Sequence, residues 1–223
     1  PFFAQARRPF TFQETSFMEK SSFASSRVCY YFTRWGAELP DRDRLFTEIR
    51  WGVDKRHAKM GITNGRSYPV TRLFAAQAAE DGASISAALL AEAVRAVWRL
   101  EALPETALGP QGKPFFPSHP ALHFNLSHSG PYAFCALSDV PVGVDVERLR
   151  PRRVALVKRA LSEEESAWYV SRGRRWEDFY TLWTCKEARV KCLGTGLIQA
   201  PASISVPLLD SGAAAALDGL VFT

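Results

Sequence analysis

Cysteine is scarce in this chain, with four among 223 residues at positions 29, 135, 185 and 192. None forms a CxxC pair, which removes the close spacing of a zinc site, and their density is far below that of a secreted disulfide framework. A reduced, cytoplasmic setting is expected. Cys185 and Cys192 would lie two turns apart on one helix, about 10 Å along the axis, too far for a bridge. Long apolar runs are missing as well. The Ala-rich stretch 73–100 is broken by Glu80-Asp81-Gly82 and Glu92, so nothing approaches the roughly 20 apolar residues of a membrane-spanning helix, and no membrane partner is expected. Residues 1–26 are Phe-rich, but Arg7, Arg8, Glu14, Glu19 and Lys20 exclude the continuous apolar core of a secretory signal. The first residue is Pro rather than Met, from which loss of some N-terminal sequence is expected. There is no repeat of fixed period and no low-complexity tract. No GxSxG elbow surrounds Ser127 and His128, and neighbours at a strand end point apart, which argues against a serine hydrolase. His119 and His123 have the spacing of a helical zinc pair, yet Pro117 and Pro120 forbid the helix.

What is present reads as globular. A hydrophobic fraction of 47% over 223 residues allows one large domain or two modest lobes, each with its own core. The net charge of +5 favours an anionic partner: nucleic acid, a phosphorylated cofactor, an acidic protein or an acidic membrane surface. Residues 84–103 carry Ile85, Leu89, Val94 and Trp98 at amphipathic spacing and predict a helix ended by Pro104. Residues 104–120 read as a linker rich in Gly and Pro. Residues 121–126 predict a short strand closing on the polar turn Ser127-His128-Ser129-Gly130. Residues 132–137 and 142–147 predict a hairpin around Ser138-Asp139-Val140-Pro141. A basic helix is expected to end near Ala160, Ser162 and Glu165 form a capping box for the next, and a long helix through Glu187 ends at Gly194.

The chemistry concentrates at two places. In Val142-Gly-Val-Asp145-Val-Glu147, strand alternation would bury the valines on one side and align both carboxylates on the other. Forty residues on, Trp176, Phe179, Tyr180, Trp183 and Val190 form an apolar helical stripe, and Glu187 falls within it. A charge there is costly unless something pairs with it. Lys186 and Lys191 stand at the edges of the stripe. Three carboxylates, Asp145, Glu147 and Glu187, form an oxygen-only set that suits Mg²⁺ together with a substrate phosphate. Solvent-facing carboxylates on a wet hairpin and an ordinary Glu187–Lys191 ion pair are the duller readings. Ser127 and His128 bring hydroxyl and imidazole donors that suit a phosphate. Gly194-Thr195-Gly196 follows a helix rather than preceding one, so capping explains it better than a phosphate loop. The basic residues Arg148, Arg150, Arg152, Arg153, Lys158 and Arg159, with Arg172, Arg174 and Arg175, form either a solvated face or a landing area for an acidic partner.

Read together, Gly112-Lys113-Pro114, Phe124-Asn-Leu-Ser127-His128-Ser, Gly143-Val-Asp145-Val-Glu147 and Trp183-Thr-Cys-Lys186-Glu187-Ala-Arg-Val-Lys191-Cys-Leu-Gly194-Thr-Gly196-Leu197 resemble the 4′-phosphopantetheinyl transferases of the broad-specificity, surfactin-synthetase-activating type. The resemblance covers residues 112–197. It implies an α+β fold of two similar α/β lobes related by a pseudo-twofold axis, here 1–111 and 112–223, with coenzyme A in the cleft between them and Mg²⁺ on its pyrophosphate. Asp145, Glu147 and Glu187 would ligate the metal. Gly112 and Lys113 would lie near the adenine, Ser127 and His128 on the phosphates, and Lys186 and Lys191 on the pyrophosphate. Glu165 matches a further acidic position of the family, which its capping box explains equally. For the 3′-phosphate, Lys55 and Arg56 or the neighbourhood of Arg66 and Arg72 are the candidates.

The implied reaction moves the phosphopantetheine arm to a serine of an acyl or peptidyl carrier protein and releases adenosine 3′,5′-bisphosphate. Glu187, directly or through metal-bound water, would take the serine proton and Lys191 would offset charge on the diphosphate, making these the expected catalytic pair. A monomer is expected, because both lobes lie in one chain. No nucleic acid partner is expected, although a metal-dependent phosphodiesterase or nuclease, and a non-catalytic basic binding module, are the alternatives that carboxylates and positive charge leave open.

Overall fold

The computed structural model describes residues 27–32, 46–49, 71–78, 81–196, 198–210 and 213–222. Two four-stranded sheets carry the fold. The first has the order β8 (Val142–Val146), β1 (Arg27–Phe32), β10 (Leu220–Phe222), β9 (Ala215–Leu217). Here β1 runs parallel to both β8 and β10, and β10 is antiparallel to β9. The second is antiparallel throughout, in the order β2 (Phe46–Ile49), β3 (Thr71–Gln77), β7 (Tyr132–Ser138), β6 (His123–Ser129). Both sheets therefore draw strands from either side of the boundary expected at residue 111. A small pair, β4 (Ala107–Leu108) with β5 (Pro114–Phe115), interrupts the stretch read as a linker. Its neighbour Phe116 is fully buried against Trp98 and Phe124, which gives that stretch a core contact.

Each sheet is backed by one helix. α1 (Ser86–Trp98) covers the second sheet, packing Leu89, Leu90, Ala93 and Val94 on Phe74, Ala76, Cys135 and Leu137. It follows a 3-10 turn at Gly82–Ile85 and stops at Arg99, whose left-handed conformation (φ 58°) ends it before the expected Pro104. α2 (Val154–Ala160) and α3 (Glu163–Ser171) lead to α4 (Trp176–Leu193), which packs on β8 and β1. The capping box of α3 is formed: Ser162 accepts from the Glu165 amide while Glu165 accepts from the Ser162 amide. α4 ends where expected, at Gly194 in the left-handed region (φ 68°), which lets its amide reach the Val190 carbonyl.

The expected β7–β8 hairpin does not form. β8 leaves β7 and joins the other sheet beside β1, and the two-residue-period signal looks the same either way. Val142, Val144 and Val146 pack on Leu73, Ala75, Phe134 and Ala136 of the second sheet, so β8 lies between the two halves of the fold and has no wet face. The true hairpin is β6–β7, turning at Gly130-Pro131, so Ser127, His128 and Ser129 lie on a strand rather than in a turn. Among the described residues no helix is long and apolar enough to cross a membrane.

Candidate active site

α4 brings Glu187 to the carboxylates of β8 through one close approach. Gly143 lies directly beneath the helix, where an added Cβ would overlap the Ala188 carbonyl oxygen and sit 2.5 Å from the Cys192 nitrogen. Only glycine admits the helix at this distance, which explains the glycine two residues before Asp145. The rotation of α4 is set by its aromatic stripe. Phe179, 1% exposed, has the rings of Tyr169, Trp176, Tyr180 and Trp183 around it at centroid distances from 5.5 to 6.3 Å. Such pairs add about 0.5–1.5 kcal/mol each beyond burial. One turn past Trp183 the stripe leaves the core and enters a cleft, and Glu187 stands there.

The cleft has a volume of about 450 Å³ and is lined by Ser127, His128, Asp145, Glu147, Trp183, Glu187 and Lys191 with Leu126 and Val146. Six of the nine site residues expected from sequence are thereby on one surface. Asp145 is 5% exposed. Its Oδ1 receives the Lys191 ammonium at 2.6 Å and the Ser127 hydroxyl at 2.9 Å. Its Oδ2 is buried with no hydrogen-bond partner among the described residues. An orphaned carboxylate oxygen in this position costs free energy unless a cation or donor meets it. Glu147 accepts a bond from Ser129 at 3.2 Å.

The local balance is short of positive charge. Burial pushes the Asp145 carboxyl up from its ordinary range, a rise that Lys191 and Ser127 oppose and Glu147 reinforces. Burial, with the nearby Asp145 and Glu147 charges, lifts Glu187 to about 7 against the pull of Lys191. Among the described residues no group of three or more acidic, His or Cys side chains is arranged to hold a metal as it stands. The orphaned Oδ2 and the elevated Glu187 are nonetheless the pattern that a hard divalent cation relieves, and the donor set is all oxygen. The residues fit such an ion.

Other expected contacts fall differently. Lys186 does not reach the cleft. It is 1% exposed, and its ammonium donates to Glu165 at 2.6 Å and to the carbonyls of Ala160 and Pro201 at 3.0 and 2.7 Å. One residue from Glu187 on a helix, it points some 100° away, which removes it from the pyrophosphate. Its role is to tie α4 to α3 and to the turn at 201–203. Replacing Lys186 by Ala is expected to destabilise the fold by about 3–5 kcal/mol, since it strands the buried Glu165 charge. A Lys186→Met, Glu165→Leu pair should recover most of that in urea unfolding.

Lys113 spans between β8 and the end of α4, donating to the Val142 and Cys192 carbonyls at 3.0 and 2.9 Å. It lines a second hollow of about 420 Å³ with Gly109, Phe116, Leu122 and Leu193, while Gly112 is an exposed turn residue. The single hydroxyl proton of Ser127 is committed to Asp145, and its oxygen accepts from Val146 N and Lys191 Nζ. Its bonding capacity is filled, so a phosphate contact there would require the Asp145 bond to be given up. His128 is exposed at the cleft wall and meets no such limit. Lys55, Arg56 and Arg66 lie outside the described residues, and Arg72 is exposed on β3. Ser129 and Trp183 were not among the expected site residues. The signal for Ser129 was its place two residues after Ser127, hence on the same strand face.

Residues 141–219 match the family model of the 4′-phosphopantetheinyl transferase superfamily. This part of the chain is similar to that superfamily. The match begins one residue before β8 and takes in Asp145, Glu147, Glu187 and Lys191. The chain is similar to a 4′-phosphopantetheinyl transferase of Bacillus subtilis, 38% identical over 103 residues, which is 45% of this chain and 46% of the relative. It is also similar to the 4′-phosphopantetheinyl transferase psf-1 of Bacillus pumilus, 36% identical over 105 residues, 46% of this chain and 45% of the relative. With the 4′-phosphopantetheinyl transferase AcpT of Escherichia coli K12 it shares 42% identity over 100 residues, 43% of this chain and 51% of the relative. The chain thus spans about half the length of the curated relatives it matches.

Proposed function

We propose that this protein transfers the 4′-phosphopantetheine arm of coenzyme A to a serine hydroxyl of an acyl or peptidyl carrier protein, with Mg²⁺, releasing adenosine 3′,5′-bisphosphate. The observation that carries the reading is the cleft lined together by Asp145, Glu147, Glu187, Lys191 and His128, with one buried carboxylate oxygen of Asp145 left without a partner among the described residues. The names of the relatives support the reaction class. We read the two helix-backed sheets as the two lobes of a pseudo-twofold fold acting as a monomer, and the broad-specificity type as the closest functional description. The buried thiols Cys135 and Cys185 suit a reducing compartment such as the cytoplasm.

Asp145, Glu147 and Glu187 would hold Mg²⁺, which supplies positive charge at the diphosphate when bound. Lys191, now spent on Asp145 and Ser127, stands at the cleft wall where a diphosphate oxygen would sit, and His128 offers a further donor. The adenine end is assigned to the hollow beside Lys113. The carrier serine oxygen forms a bond to the phosphorus that bears pantetheine, the bond from that phosphorus to the bridging oxygen breaks, and the bisphosphate leaves with the electron pair. Glu187, directly or through a bound water, takes the serine proton. The basic residues from Arg148 to Arg159 form a face for an acidic carrier. The buried Phe179 and Tyr180 offer no stacking platform for nucleic acid bases, which weighs against the binding-module alternative.

Incubation with an apo carrier, coenzyme A and Mg²⁺ tests this directly. The carrier should gain the mass of the phosphopantetheine arm, and chelation should stop the gain. An unmodified carrier alongside hydrolysis of plain DNA or RNA would point to the nuclease alternative instead.

A further inference from the structure

β8 is the edge of the first sheet and β6 the edge of the second, and the two are not paired as strands. Side chains join them instead. Asn125 Oδ1 accepts from Val144 N at 2.8 Å, Ser127 Oγ from Val146 N at 3.2 Å, and Ser129 Oγ from Arg148 N at 3.1 Å. Positions 125, 127 and 129 share one face of β6, and 144, 146 and 148 follow the same two-residue period along β8 and just past it. The ladder satisfies amides on the side of β8 turned away from β1, which an edge strand would otherwise leave open or expose to pairing.

The serines do a second thing that asparagine does not. A hydroxyl has one proton and two acceptor positions, so it can take a backbone N–H and still donate. Ser127 donates to Asp145 Oδ1 at 2.9 Å and Ser129 donates to Glu147 Oε2 at 3.2 Å. The same atom that fixes the backbone position of β8 thereby fixes the rotamer of the neighbouring carboxylate. Asn125 and Ser127 are 5% and 4% exposed, so their bonds are shielded from water, whereas the Ser129 bond to the Arg148 amide lies at the exposed end of the ladder.

We propose that Asn125, Ser127 and Ser129 act as a positioning ladder that sets the aim of Asp145 and Glu147, so that the metal affinity of the site is controlled from β6. This rests on the reading of the carboxylates as a Mg²⁺ site. Ser129 is the clean probe, because it does not line the cleft, whereas Ser127 does and also touches Lys191. Its removal should act as the loss of an outer-shell hydrogen bond to a ligand does, weakening metal binding by about 10- to 100-fold.

The test uses the full chain and Mn²⁺ as the probe, titrated by calorimetry without and with coenzyme A, beside hydrogen exchange of the Arg148 amide. Ser129→Ala should weaken Mn²⁺ binding at least about 10-fold and expose the Arg148 amide to exchange. Ser129→Thr should keep both near wild type. Ser129→Cys, nearly isosteric and a weak donor, should fall between them and serves if the Ala variant folds poorly. Equal Mn²⁺ affinity in wild type and Ser129→Ala would overturn the positioning role while leaving the metal reading intact. An Arg148 amide equally protected in both would remove the ladder itself. Absence of Mn²⁺ binding by the wild type would overturn the metal reading and this proposal with it.

Discussion

One added methyl group at Gly143 is expected to lower stability by about 3 kcal/mol, at the upper end of what overpacking does. In Gly143→Ala the new Cβ meets the Ala188 carbonyl and the Cys192 nitrogen, both main-chain atoms of α4 and neither able to swing aside. The helix has to lift or slide. For a chain of this length the melting temperature should fall by roughly 6–12 °C. Activity should fall further than stability explains, because Glu187 and Lys191 ride on the helix that moves while Asp145 stays on the strand. Transfer assays well below the melting temperature separate the two effects. Wild-type activity together with wild-type melting would show that α4 does not need this approach.

Replacing Glu187 by Gln should move activity and stability in opposite directions. Loss of the proton acceptor should reduce the transfer rate by about 10²–10⁴-fold. In the metal-free protein the same change should raise the melting temperature at pH 8. The folded-state value of Glu187 is raised from 4.5 to about 7, so its contribution to stability is fully present below about 4.5 and is lost as the pH rises through about 7. Glutamine keeps the neutral form at every pH. Wild type and variant should therefore melt alike near pH 4 and diverge toward pH 8, with the variant higher. Saturating Mg²⁺ should stabilise the wild type at pH 8 and have little effect on the variant. Identical pH dependence in the two proteins would mean that Glu187 is not strained as the cleft suggests.

The long helix, its glycine stop and the capping box were legible in sequence because each signal is local: a stripe of period 3.6, a residue able to adopt a positive φ, and a serine three residues before a glutamate. Partners of β8 were not legible. Three alternating valines state that a strand is buried on that side, and they are equally consistent with a neighbour in sequence and with β1, more than a hundred residues away. The fate of Lys186 was hidden for a related reason. Its helical position places it beside Glu187, but only the course of α3 and of the turn at 201–203 brings Glu165, Ala160 and Pro201 around its ammonium. The acidic trio was found from pattern because each member broke a pattern, an acid among valines or within an aromatic stripe. Ser129 broke none, since a serine near a turn is unremarked whether or not it aims a carboxylate.

The placement of β1 has a consequence for biosynthesis. Its partners are β8 on one side and β10 on the other, paired in the registers Val28 with Val142 and Arg27 with Leu220. β1 thus waits for two neighbours made more than a hundred residues after it, while the locally wound α1 and the β6–β7 pair can form as they emerge from the ribosome. The strand bearing Asp145 gains its full support only once β10 has been made, so a nascent chain should bind neither donor nor metal before that point.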